Sequence, residues 1–263
     1  MLANLARLIR YRVLIQSLVA RELKARYRGS VLGFAWSFVN PLLLLLIYTF
    51  VFTKIMPNTE PRVQPFALFM FCGILPWTWF STSLSDASGS LIAGGNLIKK
   101  VLFPAEILPI VNVLANMVHF FLGLVILVGF LVAYRRIPDL AGLLWFPVTV
   151  FVQLIFTAAL ALFLSALAVH FRDIRDILAN LLTLWFFATP IIYPWFQPNV
   201  QQFKWLFNIN PFTHLAVTYQ EILFFDHVGH WKWLLALGAA SMVLFLGGYW
   251  LFDRLRDSFA EVV

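Results

Sequence analysis

Asp86 and His119 fall within the long apolar runs of this sequence, and Glu106 stands at the edge of one. A carboxylate and an imidazole in such surroundings are groups that relay protons or activate a nucleophile. Asp86 sits near one end of its run, within reach of water. His119 shares a helical face with Asn112 and Asn116, so these residue types also suit interhelical hydrogen bonding. An intramembrane acyl- or glycosyltransferase needs such groups to converge, whereas His119, Asp86 and His214 are scattered along the chain. Other chemistry is excluded outright. No G-x-x-x-x-G-K-[ST] occurs, since Gly94-Gly95 followed by Lys99 lacks both the spacing and the magnesium-binding hydroxyl, so the chain cannot hydrolyse ATP. There is no G-x-S-x-G elbow and no His-rich cluster, and the single Cys72 rules out an internal disulfide or a Cys-rich metal site. No cofactor or metal is expected in this chain, and any work on a substrate must be energised elsewhere.

The elements that carry these residues follow from composition. Hydrophobic residues make up 62% of the 263 positions and charged ones 12%, against roughly half and a quarter in soluble domains. A net charge of +7 in so apolar a chain reads as topology determinants rather than nucleic-acid contacts. Apolar stretches lie near 34–56, 66–88, 107–134, 143–169, 177–193 and 231–252. They are continuous rather than alternating, so they predict spanning helices, which satisfy their own backbone hydrogen bonds. The first begins near residue 34 and is too long for the h-region of a signal peptide. The fold class is an all-α integral membrane protein of six transmembrane helices. It divides into a cytoplasmic interface region 1–33, a six-helix domain 34–252 and a cytoplasmic tail 253–263.

With the N-terminus inside, the inner segments hold thirteen Lys and Arg side chains. The outer ones hold six, namely Lys54, Arg62, Arg135, Arg136, Lys204 and Lys232. That bias places both termini in the cytoplasm. Before the first span, Ile15, Val19 and Leu23 recur at helical spacing opposite Arg21, Lys24 and Arg28, which predicts an amphipathic helix at the membrane surface. Gly29 and Gly33 let the chain turn sharply into the span. Asn40-Pro41, Gly73 with Pro76, and Pro190 with Pro194 predict breaks or kinks.

The inner loop from Gly94 to Pro104 predicts a short basic and apolar helix offered to another protein. The next inner loop, from His170 to Asp176, places Arg172 and Asp176 at ion-pair spacing. Between Tyr193 and Trp231 the outer segment is apolar and divided by Pro198 and Pro211. Each half is too short to span, which predicts two short re-entrant helices. Trp195, Phe196, Phe203, Trp205, Phe212 and His214 are its candidate outer-gate residues.

The string Arg26-Tyr27-Arg28-Gly29-Ser30-Val31-Leu32-Gly33, running through Trp36 to Asn40-Pro41-Leu42, resembles the start of the first span in type-2 ABC exporter permeases of the polysaccharide branch. The resemblance continues at Phe103-Pro104-Ala105-Glu106-Ile107-Leu108-Pro109, at Phe171-Arg172-Asp173-Ile174 and at Asn210-Pro211-Phe212-Thr213-His214, in the family's order. It implies a permease subunit that forms a channel as a homodimer in the bacterial inner membrane. By the same resemblance, separate nucleotide-binding subunits bind ATP and Mg, and the cargo is lipid-linked polysaccharide such as O-antigen, capsule or teichoic acid.

By that resemblance Asn96, Leu97, Ile98, Lys99, Lys100, Val101 and Phe103 form the main coupling segment. Arg172 and Asp173 form a second contact, and the N-terminal helix guides the glycolipid among membrane lipids. A polysaccharide path favours aromatic faces on which sugar rings slide, and Trp36, Tyr48, Trp77, Trp79, Trp185 and Tyr193 are the candidates. Interface anchoring and bundle packing are the plainer use of each ring. An exporter of small lipids or drugs, the transferase above and a non-transporting scaffold are the competing readings.

Overall fold

The computed structural model describes residues 10–262 except 59, 101, 102, 137, 172 and 226. Among the described residues every regular element is helical. In chain order they are α1 (Arg12–Arg26), α2 (Trp36–Phe50), α3 (Phe66–Ala93), α4 (Gly95–Lys100), α5 (Ile107–Ala133), α6 (Leu140–Leu143), α7 (Phe146–His170), α8 (Ile174–Phe187), α9 (Pro198–Gln201), α10 (Lys204–Ile209), α11 (Pro211–Gln220) and α12 (Trp231–Val262). A 3-10 turn at Gly33–Ala35 leads into α2, and single π turns extend α2 over Val51–Ile55 and α11 over Glu221–Phe225.

Among the described residues five stretches are long and apolar enough to cross a bilayer: Gly33–Ile55, Phe66–Ala93, Ile107–Ala133, Phe146–His170 and Trp231–Arg256. The stretch expected at 177–193 is α8, whose 14 residues reach about 21 Å, short of a ~30 Å core. It ends because Thr189-Pro190 follows, where the ring removes a donor and disfavours helix at the residue before it.

The second span runs past its expected end at residue 88 to Ala93. Its serines return their hydroxyls to the helix's own carbonyls, Ser83 to Trp79, Ser88 to Ser85 and Ser90 to Ala87 at 2.6–2.7 Å, so the polar side chains stay satisfied in buried positions. Pro41 and Pro76 do not interrupt their helices, which continue through both. Gln153 of α7 donates to the Pro76 carbonyl at 2.8 Å and ties the two helices together there.

α3 is the central helix: 83% of its apolar window is buried, against 11% for the stretch containing α2. It packs against α5, α7, α8 and α11. At Gly73 the approach is tight, because a Cβ there would stand 3.1 Å from the Gln220 amide and 3.2 Å from Ile191. The α7–α12 pair is the most intimate. Gly248 of α12 lies against the Ala159 carbonyl and Gly238 against Val152, so small residues let the two backbones close up.

The two ends of the bundle differ. At one, the C-terminal turns of α3, α7 and α12 and the start of α5 share a cluster of Leu91, Ala105, Leu108, Val169, Tyr249 and Phe252. At the other, the loops are bound together by cations on aromatic rings. The Arg62 guanidinium lies 4.1 Å from the Phe196 ring centre and that of Arg136 5.0 Å from Phe224. Arg136 also donates to the Gln64 carbonyl at 2.8 Å. Two of the six cations expected on the outer side, Arg62 and Arg136, are thus held within the structure.

Candidate functional site

α1 lays one face against α5. Leu18 is buried on Ile107 and Val111, with Leu14, Ile15 and Val19 around it. Arg21 and Lys24 are exposed on the other side, as the sequence implied, whereas Arg28 lies beyond the helix end. Gly29 and Gly33 take left-handed backbone, φ 78° and 50°, and so reverse the chain into α2 at low steric cost. Ser37 then donates to the Tyr27 hydroxyl at 2.9 Å and Trp36 Nε1 to Ser30 Oγ at 3.1 Å, which stitches the turn to α2.

The turn brings Arg26, not one of the cations singled out from sequence, to the side of α3. Its guanidinium donates to Asp86 Oδ2 and to Asn116 Oδ1, both at 2.8 Å, and Asn116 Nδ2 donates to the same Asp86 oxygen at 2.9 Å. Asp86 is therefore paired. Its partner comes from the surface helix rather than from another span. His119, one turn along α5 from Asn116, is placed edge-on to Tyr27 and its Nε2 has no partner. It does not make the interhelical hydrogen bond expected of it; Asn116 does.

Beside this network lies a cavity of about 490 Å³, lined by Arg26, Trp36, Asn40, Thr78, Trp79 and His119 among others. Its walls alternate aromatic faces with amide, hydroxyl and guanidinium groups. Such a surface takes up the apolar faces and the hydroxyls of a sugar.

Two of the six proposed path-lining aromatics, Trp36 and Trp79, thus border one space. Trp79 is held there by a bond from Nε1 to the Val113 carbonyl at 3.0 Å and by stacking on Phe120. The others serve elsewhere. Trp77 is buried with its ring edge-on to Phe212, and Trp185 donates to Asn210 Oδ1 at 2.6 Å. Tyr193 donates to the Phe187 carbonyl, and Tyr48 packs on Phe52. Hydropathy alone gives no sign of this division.

Sequence reasoning missed a second feature. Asp176, Asn180 and Thr183 recur at i, i+4 and i+7 along α8 and are all exposed, beside a parallel exposed stripe of Ile177, Leu181 and Leu184. Only Leu178 and Leu182 of this helix are buried. The 3.6-residue period was the available signal, masked by a search for aromatics alone.

At the end of the bundle where α1 lies, α4 has its polar and apolar faces separated. Asn96 and Lys99 are exposed, while Leu97 and Ile98 pack on the Leu91 and Leu108 cluster with Phe103. Gly94 precedes it, and a Cβ there would come within 2.4 Å of Leu108. Asp173 is exposed at the start of α8. The Lys100 side chain, Val101 and Arg172 lie outside the described residues. Glu106 is buried and accepts from the Tyr249 hydroxyl at 3.2 Å, which makes it a tie between α5 and α12.

At the opposite end the six gate candidates divide: Trp195 and His214 border one space, and the other four lie elsewhere. Phe203 and Trp205 are exposed, Phe212 is fully buried between Trp77 and Phe80, and Phe196 sits under Arg62. Trp195 meets His230 edge-on, and His214 is buried and stacked on Trp233. Among the described residues no group of His, Cys, Asp and Glu is arranged to hold a metal ion.

Comparison with known proteins agrees with this geometry. The profile of the ABC-2 type transporter family matches residues 13–224. The chain is 43% identical over 257 residues to the O-antigen export system permease protein RfbA of Myxococcus xanthus, covering 97% of each chain. It is 32% identical over 243 residues to a protein of that name from Klebsiella pneumoniae, covering 92% of each. It is 26% identical over 245 residues to the polysialic acid transport protein KpsM of Escherichia coli, covering 90% of this chain and 91% of that one. A membrane-embedded helical bundle, a match that reaches from the surface helix to α11, and relatives aligned over nearly their whole length lead to one assignment: the chain belongs to the ABC-2 type transporter family.

Proposed function

We propose that this chain is the transmembrane subunit of an ATP-driven polysaccharide exporter, with a lipid-linked O-antigen as its cargo. The near full-length similarity to permeases named for O-antigen export is the observation that carries this reading. The aromatic and hydrogen-bonding cavity beside Arg26 supports it physically, because its rings and polar groups suit the C–H faces and the hydroxyls of a sugar. α1 and the α4 end then face the cytoplasm and residues 188–230 the outer side of the bacterial inner membrane. In this arrangement α8 and residues 188–193 together make the sixth crossing, and α9 to α11 dip into the outer leaflet.

Hydrolysis belongs to a separate nucleotide-binding subunit that binds ATP and Mg, seated on Asn96 and Lys99 of α4 with Asp173 beside them. The conducting path forms between two copies of the chain. α8 favours this, since a helix with so little buried and a polar stripe beside an apolar one needs both a water-filled side and a protein or lipid side.

The test is co-purification with the ATPase encoded beside this chain, reconstitution in lipid nanodiscs, and hydrolysis assays with and without lipid-linked polysaccharide. A stable complex whose rate responds to the glycolipid is the expected result. Failure to retain any ATPase overturns the exporter reading.

A further inference from the structure

The geometry points to a second carbohydrate site, sized for a single pyranose of the exported glycan, at the end of the bundle remote from α1. It rests on the exporter reading for the identity of the sugar but not for its existence. The cavity holds about 250 Å³ and lies between α9, α10, the first turns of α11 and the start of α12. That is below the usual range for drug-sized ligands, roughly 300–1,000 Å³, and leaves room for one ring. Trp195 and Trp233 contribute aromatic surface to its wall, and Lys204, Asn208, Thr213 and His214 contribute polar groups. Aromatic rings beside mixed donors and acceptors are the surface that a pyranose requires, with C–H faces on one side and hydroxyls around the rim.

Two of those polar groups set this cavity apart from packing space. His214 Nε2 faces the Asn208 carbonyl at 3.1 Å, so that nitrogen carries the proton and Nδ1 is left as an acceptor. Nδ1 is buried without a partner, and so is the hydroxyl of Thr213, the adjacent residue in the same wall. Buried polar groups in folded proteins nearly always find partners. An acceptor and a hydroxyl, both unpaired and both on residues lining one cavity, match sugar hydroxyls, one donating to the imidazole and another accepting from the threonine.

The wall is also rigid. His214 stacks on Trp233 with ring centres 4.8 Å apart and planes 2° from parallel. Behind it Glu221 is fully engaged, with Oε2 accepting from the backbone of Gly229 and His230 and Oε1 meeting His230 Nδ1 at 2.6 Å. That leaves the Lys204 ammonium as the one charged head among the polar groups named for this wall, so the site takes a neutral or a carboxylated sugar. The ten-residue α11 thus has two functions: it closes the core through Phe212 and presents a sugar contact through Thr213 and His214.

The experiment is equilibrium binding of delipidated repeat-unit oligosaccharide from the producing strain's own polysaccharide to the full chain in nanodiscs, read by saturation-transfer NMR. Thr213→Val removes the hydroxyl and keeps its shape, while His214→Phe keeps the stack on Trp233 and removes Nδ1 together with the Nε2 bond to Asn208. Thr213→Val should unfold at or near the wild-type temperature, because its hydroxyl makes no bond in the folded chain, whereas His214→Phe also loses the bond to the Asn208 carbonyl and should unfold somewhat lower. Each should weaken oligosaccharide binding about tenfold. Lys204→Ala, on an exposed side chain, gives a third variant free of folding risk, and it should weaken binding of a carboxylated repeat unit alone.

Unaltered affinity in Thr213→Val and His214→Phe, or no saturable binding by the wild type, overturns the site. Because free oligosaccharide needs neither ATP nor a partner subunit to bind, failure of the exporter reading registers separately, as hydrolysis that does not respond to glycolipid.

Discussion

Arg26 and Asp86 meet at 2.8 Å across 60 positions of sequence, and both bond to Asn116. The contact fixes the end of α1 to α3 and α5 by three polar groups from three elements. An isolated, partly exposed ion pair contributes about 0–1 kcal/mol, so the triad's role is to set where α1 sits rather than to hold the fold together. Replacing Arg26 with Gln, or Asp86 with Asn, should leave the unfolding temperature nearly unchanged and raise amide exchange across residues 12–26. The two effects should be less than additive in the double variant, because both remove one contact. Additive effects, or no change in exchange, would show that α1 is seated by Leu18 alone.

Gly248 and the Ala159 carbonyl define the closest approach of α12 to α7, with a Cβ at Gly248 calculated to stand 2.9 Å from that oxygen. Backbone cannot rotate away as a side chain can, so Gly248→Val must push the helices apart. A destabilisation of about 1–3 kcal/mol is expected, the range for overpacking. Gly247, where a Cβ meets nothing within 4 Å, provides the control, and Gly247→Ala should be neutral by thermal unfolding in the same detergent. Equal behaviour of the two variants would sink this account of α7–α12 packing.

How far the residues announce this architecture depends on the kind of interaction. Hydropathy located the starts of α3, α5 and α12 to the residue, because Phe66, Ile107 and Trp231 each open a continuous apolar run. It shortened α3, since Ser88 and Ser90 lower local hydropathy while bonding back to their own helix at no cost to burial. It lengthened α8 by reading Ile191 and Ile192 as helix, although Pro190 separates them from it. The glycine turn at 29 and 33 and the short α4 were legible from local chemistry. The Arg26, Asp86 and Asn116 network was not, because it joins groups distant in sequence with nothing local to mark them. For the same reason, Trp36 and Trp79 could not be told from Trp77 and Trp185 before their neighbours were known.

The polar stripe of α8 makes a prediction that needs no substrate. Cys72 is fully buried, so the wild-type chain should not react with a water-soluble maleimide, and single cysteines can be read against it. Cysteine at Asn180 or Thr183 should label from water, whereas cysteine at Leu181 or Leu184, on the neighbouring apolar stripe, should label only with a lipid-soluble reagent. Such a division is expected of a helix with one side toward a hydrated path. Uniform labelling, or none, would remove α8 from the wall of that path.

α4 carries the last prediction. Lys99 is exposed on the face opposite Leu97 and Ile98, so reversing its charge touches nothing inside the bundle. Lys99→Glu should change stability by no more than about 0.5 kcal/mol, the ordinary range for a surface substitution. If this face docks the ATPase, retention of that subunit should weaken about tenfold, equivalent to ~1.4 kcal/mol of binding free energy. Gly94→Ala tests the same joint from inside. Its Cβ collides with the Leu108 side chain and stands 3.1 Å from the Ser90 carbonyl, so Leu108 must shift and the seating of α4 against it changes without altering the α4 surface. Coupling of hydrolysis to glycolipid should fall in Gly94→Ala and recover in part when Leu108→Ala makes room. Recovery would locate the transmission of force in the angle of α4. Full coupling in both Lys99→Glu and Gly94→Ala would mean that the ATPase engages another surface.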